Sequence, residues 1–97
     1  ALSGGNQQKV VLAKWLTQQP KVLILNEPTR GMDVGAKDEV LTIVQKLRDQ
    51  GVAILLITTE PETIVRIADR SLVMSKGRLT AEMRGAELNK ENLMRHA

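Results

Sequence analysis

Val22-Leu23-Ile24-Leu25-Asn26-Glu27-Pro28-Thr29 runs from four consecutive apolar side chains into an amide, a carboxylate and a proline. A short unbroken apolar run, bounded here by Pro20 and Pro28, is the pattern of a strand buried in a parallel sheet. Its polar carboxyl end stands where open α/β sheets hold their ligands. A second run of the same kind, Val52 to Thr58, follows one helix later. Between the two, Val40, Ile43, Val44 and Leu47 recur at helical spacing over Ala36 to Gln50, and Gly51 supplies the stop. Residues 22–58 therefore read as a βαβ unit with parallel strands.

Upstream, Ser3 is suited to cap a helix from Gly4 to about Gln18, with Val10, Val11, Leu12, Ala13, Trp15 and Leu16 as a broad apolar face, ended by Gln19-Pro20. Downstream, Thr59-Glu60-Pro61-Glu62 has the form of a capping box opening a helix to about Ala68. Ser71–Ser75 and Arg78–Met83 flank Lys76-Gly77, the signature of a two-residue hairpin turn. Asn89 caps a short last helix to about His96. The order is α-β-α-β-α-β-β-α, with no internal repeat or low-complexity segment.

Composition narrows the chemistry. The chain has 97 residues, no cysteine and one histidine, His96, near its end. A disulfide scaffold, a cysteine-ligated metal and an iron–sulfur cluster are excluded, and a histidine-based triad has almost nothing to be built from. One tryptophan and no Phe or Tyr leave no stacking platform for single-stranded nucleic acid. The net charge of +3 matches Lys9, Lys14 and Lys21, since residues 1–21 hold no acid and the rest is balanced. Three lysines spread along a helix read as a solvated face, so no nucleic-acid partner is expected. The longest apolar run, Val52 to Ile57, is far short of the roughly 18–20 residues of a membrane span. The abrupt opening Ala1-Leu2-Ser3, without an initiator Met, gives the expectation of a piece of a longer chain.

Three short segments carry chemistry. In Leu2-Ser3-Gly4-Gly5-Asn6-Gln7, two glycines at a helix start let an anion approach free N–H groups at the positive end of the helix dipole, and the Ser3 hydroxyl adds a donor. Taken alone, Ser-Gly-Gly reads first as a flexible leader before an ordinary helix. Asn26 and Glu27 place polar groups at the strand end, where a carboxylate can activate water; taken alone, Asn26 also reads as a strand-end cap. Asp33, in Arg30-Gly31-Met32-Asp33, is suited to cap the helix ahead of Ala36.

In this order, LSGGNQQK, then LILNEPTRGMDVGAK, then a strand ending in Thr58-Thr59-Glu60 resembles the ATP-binding cassette (ABC) ATPases. More narrowly, the chain looks like the second cassette of the tandem-cassette ATPases that drive bacterial import of simple sugars, over essentially all its length. The implied fold is α/β, the C-terminal half of a P-loop NTPase core with parallel strands, a terminal β-hairpin and the signature helix. Residues 1–97 would form a partial nucleotide-binding domain running from the signature to the C-terminus.

The resemblance implies roles position by position. Ser3, Gly4 and Gly5 fall on the signature, which contacts the γ-phosphate of ATP held by the opposite cassette. Asn26 falls on the Asp that handles Mg²⁺, Glu27 on the water-activating base, and Asp33 on the D-loop Asp at the cassette interface. Thr59 falls on the switch histidine, at the family's spacing ahead of Asp69-Arg70. Two positions depart from the pattern. Asn26 is a neutral amide where Mg²⁺ is expected to meet a carboxylate, and Thr59 lacks the imidazole that would bond the γ-phosphate. This cassette's own pocket is therefore expected to be weak, while its signature serves the partner's.

The phosphate loop Gly-x-x-x-x-Gly-Lys-Ser/Thr is absent from these 97 residues, so the isolated chain is expected to be inactive. The implied cofactors of the parent are ATP and Mg²⁺. Its implied partners are a second cassette, transmembrane permease subunits and, indirectly, a periplasmic sugar-binding protein. Its implied location is cytoplasmic, on the inner face of the bacterial plasma membrane. Two other readings stand beside this one: a cassette of a DNA-repair or chromosome ATPase, and a non-hydrolytic interaction module.

Overall fold

Helix α1 spans Gly4–Gln18, strand β1 Val22–Asn26, helix α2 Val34–Asp49 and strand β2 Ala53–Ile57. Helix α3 (Pro61–Ile67), strands β3 (Arg70–Ser75) and β4 (Arg78–Arg84), a 3₁₀ turn at Gly85–Glu87 and helix α4 (Lys90–His96) complete the order. The computed structural model describes residues 4–97, with side chains from residue 9 onward. The chain divides into two units at Ile57/Thr58.

In the first unit β1 and β2 pair in parallel, from Val22 opposite Ala53 to Asn26 opposite Ile57, as the two apolar runs require. The crossover helix ends in a Schellman motif. Gly51 takes φ +95° and donates to Arg48 O at 2.9 Å, and the Val52 N–H donates to Leu47 O at 3.1 Å. Only glycine adopts that conformation without a Cβ penalty. Helix α1 stops where Gln19 turns left-handed, its N–H still bonded to Trp15 O, and Pro20 follows.

Helix α1 packs on α2. Leu12 on α1 and Val40, Leu41, Val44 and Leu47 on α2 form the buried stripe. The buried face of α1 is narrower than its sequence suggests. Trp15 and Leu16 are half-buried, whereas Val10, Val11 and Ala13 are exposed.

The strands depart from the expectation of burial on both faces. Leu23 and Leu25 are buried, but Val22 and Ile24 are 62% and 64% exposed, and Leu55 and Ile57 are 54% and 49% exposed. Register puts Ile24 opposite Leu55 and Asn26 opposite Ile57, so these side chains share one face. Two strands and their helices cover a single side, and the other side stays apolar and open.

In the second unit β3 and β4 form their own antiparallel sheet. Lys76 and Gly77 both take positive φ, 52° and 78°, the type I′ geometry that the Lys-Gly turn predicts. A register shift after Val73 leaves Thr80 outside the pairing. Its hydroxyl is bonded to Val73 O at 3.1 Å and to His96 O at 2.9 Å. Val73, Met83 and Leu93 make the core, with Ile64, Ala81 and Leu88 packed against it. On the exposed face Glu82 accepts from Arg84 at 3.0 Å and from Arg70 at 3.4 Å, and the Arg84 bond above all holds its carboxyl below the usual range.

The cap of α3 is Glu60, not Thr59, and Pro61 stands in its first turn. A residue preceding proline is driven out of the right-handed helical region. Glu60 is accordingly extended, at φ −99° and ψ 104°, and the helix starts one residue later than a box on Thr59 demands. The Thr58 hydroxyl accepts the Glu60 N–H at 3.0 Å.

The open apolar face of β1–β2 leads us to expect self-association of the 97-residue chain. Light scattering at rising concentration is expected to show oligomers, and Ile24→Lys is expected to reduce them. Because Ile24 is already exposed, that change should move stability by no more than about 0.5 kcal/mol. A wild-type chain that stays monomeric contradicts this.

Candidate functional site at the end of strand β1

Strand β1 delivers Asn26 to an exposed position and Glu27 to a half-buried one. The Glu27 N–H donates to Ile57 O at 2.7 Å, carrying the parallel ladder one residue past the strand. Glu27 is also left-handed, at φ +49°. That conformation costs a non-glycine residue about 1–2 kcal/mol. Pro28 disfavours the right-handed alternative for the residue before it, and the sheet bond holds the N–H.

The chain then folds into a short loop. Arg30 N–H meets Glu27 O at 3.3 Å, and Met32 N–H meets Thr29 O at 3.2 Å. Pro28 is buried and Thr29 wholly so. Gly31, at φ +77°, turns the chain where a side chain would be strained. The loop closes on Asp33, which caps α2. It is extended, at φ −74° and ψ 171°, and its Oδ1 accepts the Ala36 N–H at 2.8 Å. Glu27 and Asp33 are thus the two fixed ends of one loop, held by the sheet and by the helix respectively.

The signature residues meet the structure only in part. Gly4 and Gly5 open α1, whose first turn carries no acidic residue, so the positive end of its dipole is uncompensated by the helix itself. That arrangement suits an anion. Ser3 lies outside the described residues. Thr59 belongs to the second unit, exposed between the Thr58 hydroxyl and the Glu60 cap that the hydroxyl fixes.

A bound Mg²⁺ is not built by these residues alone. Among the described residues no three Asp, Glu or His side chains converge on a metal-sized site. Asn26 offers an amide oxygen, with no formal charge, where a hard cation favours a carboxylate. What the strand end does hold is one carboxylate, Glu27, on a strained and hydrogen-bonded backbone.

Sequence patterns did not single out the burial of Thr29 or the backbone of Glu27. Thr29 sits in a polar loop with no periodicity to mark it, and the only local signal at Glu27 is the proline after it. The ion pair between Lys9 on α1 and Glu39 on α2 was equally invisible, since the two lie thirty residues apart.

Comparison with known proteins gives a consistent picture. A family model described as ABC transporter matches residues 1–30. An L-arabinose transport ATP-binding protein of Geobacillus stearothermophilus is 57% identical over 98% of this chain and 18% of its own length. A xylose import ATP-binding protein of Geobacillus kaustophilus is 56% identical over 96% of the chain and 18% of its own length. A ribose import ATP-binding protein of Mesorhizobium japonicum is 50% identical over 99% of the chain and 19% of its own length. The chain thus spans about a fifth of the length of these relatives. Among solved structures, a nucleotide-free ATP-binding cassette from an ABC transporter superposes with a TM-score of 0.81 at 29% identity, over 96% of this chain and 37% of that one. The ADP conformation of such a cassette gives 0.81 at 30%, with the same coverage.

The Asp33 cap is directly testable. Asp33→Ala is expected to cost about 0.5–2 kcal/mol, and Asp33→Asn to stay close to wild type, because either side-chain oxygen accepts the Ala36 N–H. Urea unfolding midpoints measure both. An unshifted midpoint for Asp33→Ala contradicts a stabilising cap.

Proposed function

We propose that this chain, which belongs to the ABC transporter family, is part of the ATP-binding and ATP-hydrolysing subunit of an importer that energises carbohydrate uptake. The observation that carries the reading is identity of 50–57% over nearly the whole chain to arabinose, xylose and ribose import proteins. No comparable support favours a DNA-repair or chromosome ATPase. We take the residues to span the part of a second cassette from the signature to the C-terminus. Its partners would be another cassette and permease subunits at the cytoplasmic face of the membrane, with a periplasmic sugar-binding protein acting through them. No helix among the described residues is long and apolar enough to cross a membrane.

The residues divide the work unequally. The start of α1, with Ser3, Gly4 and Gly5, presents hydroxyl and N–H donors to the terminal phosphate of a nucleotide held by the partner cassette. Asp33 stands at the interface between cassettes while capping α2. Glu27 holds the position of the base that takes a proton from the attacking water. Mg²⁺, when bound to the parent, supplies charge to the phosphates. The neutral Asn26 contributes less to holding that ion than a carboxylate would, and Thr59 gives no imidazole. The signature therefore outweighs this cassette's own pocket.

The isolated 97-residue chain should show no ATP turnover. Phosphate release above background that Glu27→Gln abolishes would overturn this. In the assembled transporter, Ser3→Arg sets a bulky cation among the signature's donors and should remove most turnover. Losing one well-placed electrostatic group costs about 10²–10³-fold in rate. Glu27→Gln should cost far less, because it disables a site already weakened by Asn26 and Thr59. Equal losses in the two variants contradict the unequal division.

A further inference from the structure

Lys9 and Glu39 form an ion pair that joins α1 to α2, with the lysine side chain 30% and the glutamate 58% exposed. Lys9 lies five residues after Gly4, roughly 7.5 Å along the helix axis. Glu39 lies six residues after Asp33, in the second turn of α2. The pair therefore ties the two helices near their N-termini, and both of those termini belong to the candidate site.

The ion pair adds a directional contact to the apolar packing between the helices. Burial of Leu12 and of the α2 stripe resists separation, but hydrophobic contact is non-directional and leaves sliding and rotation about the helix axis comparatively free. The contacting face of α1 is also narrow, since Val10 and Val11, which directly follow Lys9, are exposed. The Lys9–Glu39 pair adds a contact between two named positions near the N-termini of the helices. Exposed ion pairs add little to folding stability, so the constraint is separable from the fold itself.

We propose that Lys9 and Glu39 are positioning residues, whose ion pair fixes the Gly4-Gly5 start of α1 relative to the Asp33-capped start of α2. They touch no nucleotide. They act by holding the N–H groups of α1 where a phosphate of the partner cassette must meet them. This rests on the reading that the signature serves the partner's nucleotide.

The test uses the full-length subunit in its assembled transporter. Lys9→Glu and Glu39→Lys each place like charges face to face, and the double exchange restores an opposite pair. Each single change is expected to lower kcat for ATP about three- to tenfold, and the double exchange to recover to within about twofold of wild type. Thermal midpoints of all three should match wild type, which a merely structural role would not give together with a rate loss. Single variants with wild-type kcat, a double exchange no better than the worse single, or losses that follow the thermal midpoint would overturn the proposal. Ser3→Arg distinguishes the two levels. If it leaves turnover intact, the signature reading has failed. If it abolishes turnover while the charge changes do nothing, only the positioning role has failed.

Discussion

The hydrogen bond from the Glu27 N–H to the Ile57 carbonyl is the constraint on which the site depends. A parallel ladder fixes the relative height of its strands, and here it holds β1 and β2 level from Val22–Ala53 to Asn26–Ile57. The bond past the last pair keeps Glu27 in the sheet although its backbone is already left-handed. Without it, the strain at Glu27 and the exclusion imposed by Pro28 would leave the carboxylate on a backbone with no preferred place. With it, the loop to Asp33 has one end anchored in the sheet. Thr29, wholly buried, pins the middle, and the α2 cap pins the other end.

The same unit shows where burial stops. Leu23 and Leu25 are buried, while Val22, Ile24, Leu55 and Ile57 keep about half or more of their surface in water. At roughly 25 cal/mol for each Å² withheld from water, that face forgoes stabilisation a covered parallel sheet would have. The charged contacts do not compensate, because the Lys9–Glu39 pair and the Arg70–Glu82–Arg84 cluster are all solvent-exposed. Specific placement, not strength, is what these ion pairs contribute.

Much of this architecture was legible in residue order. Two apolar runs, the first bounded by Pro20 and Pro28, gave two strands, the 3.6-residue spacing of Val40, Val44 and Leu47 gave α2, and Lys76-Gly77 gave the hairpin. These signals are local and redundant, so they survive without knowledge of tertiary contacts. The failures are of another kind. The N-cap of α3 falls on Glu60 rather than on Thr59, because Pro61 holds Glu60 extended. The reach of burial on α1 and on the strands depends on which surfaces are covered, and hydrophobicity alone carries no such information. Thr29 and the Lys9–Glu39 pair depend on contacts between distant segments. At the site, the positions of Glu27 and Asp33 at the ends of one loop followed from the motif. The backbone device that holds each end did not.

Asn26 gives the strand end its particular character. Two adjacent carboxylates beside a half-buried strand terminus would repel one another unless a cation lay between them. An amide in the first position leaves Glu27 as the sole carboxylate of the pair, so the terminus has no like-charge conflict for a metal to relieve. Glu27 can therefore keep its strained, sheet-bonded backbone without an ion, and the helix cap at Asp33 is formed by protein groups alone. The strand end thus folds on hydrogen bonds within the chain, from the sheet bond at Glu27 to the helix cap at Asp33.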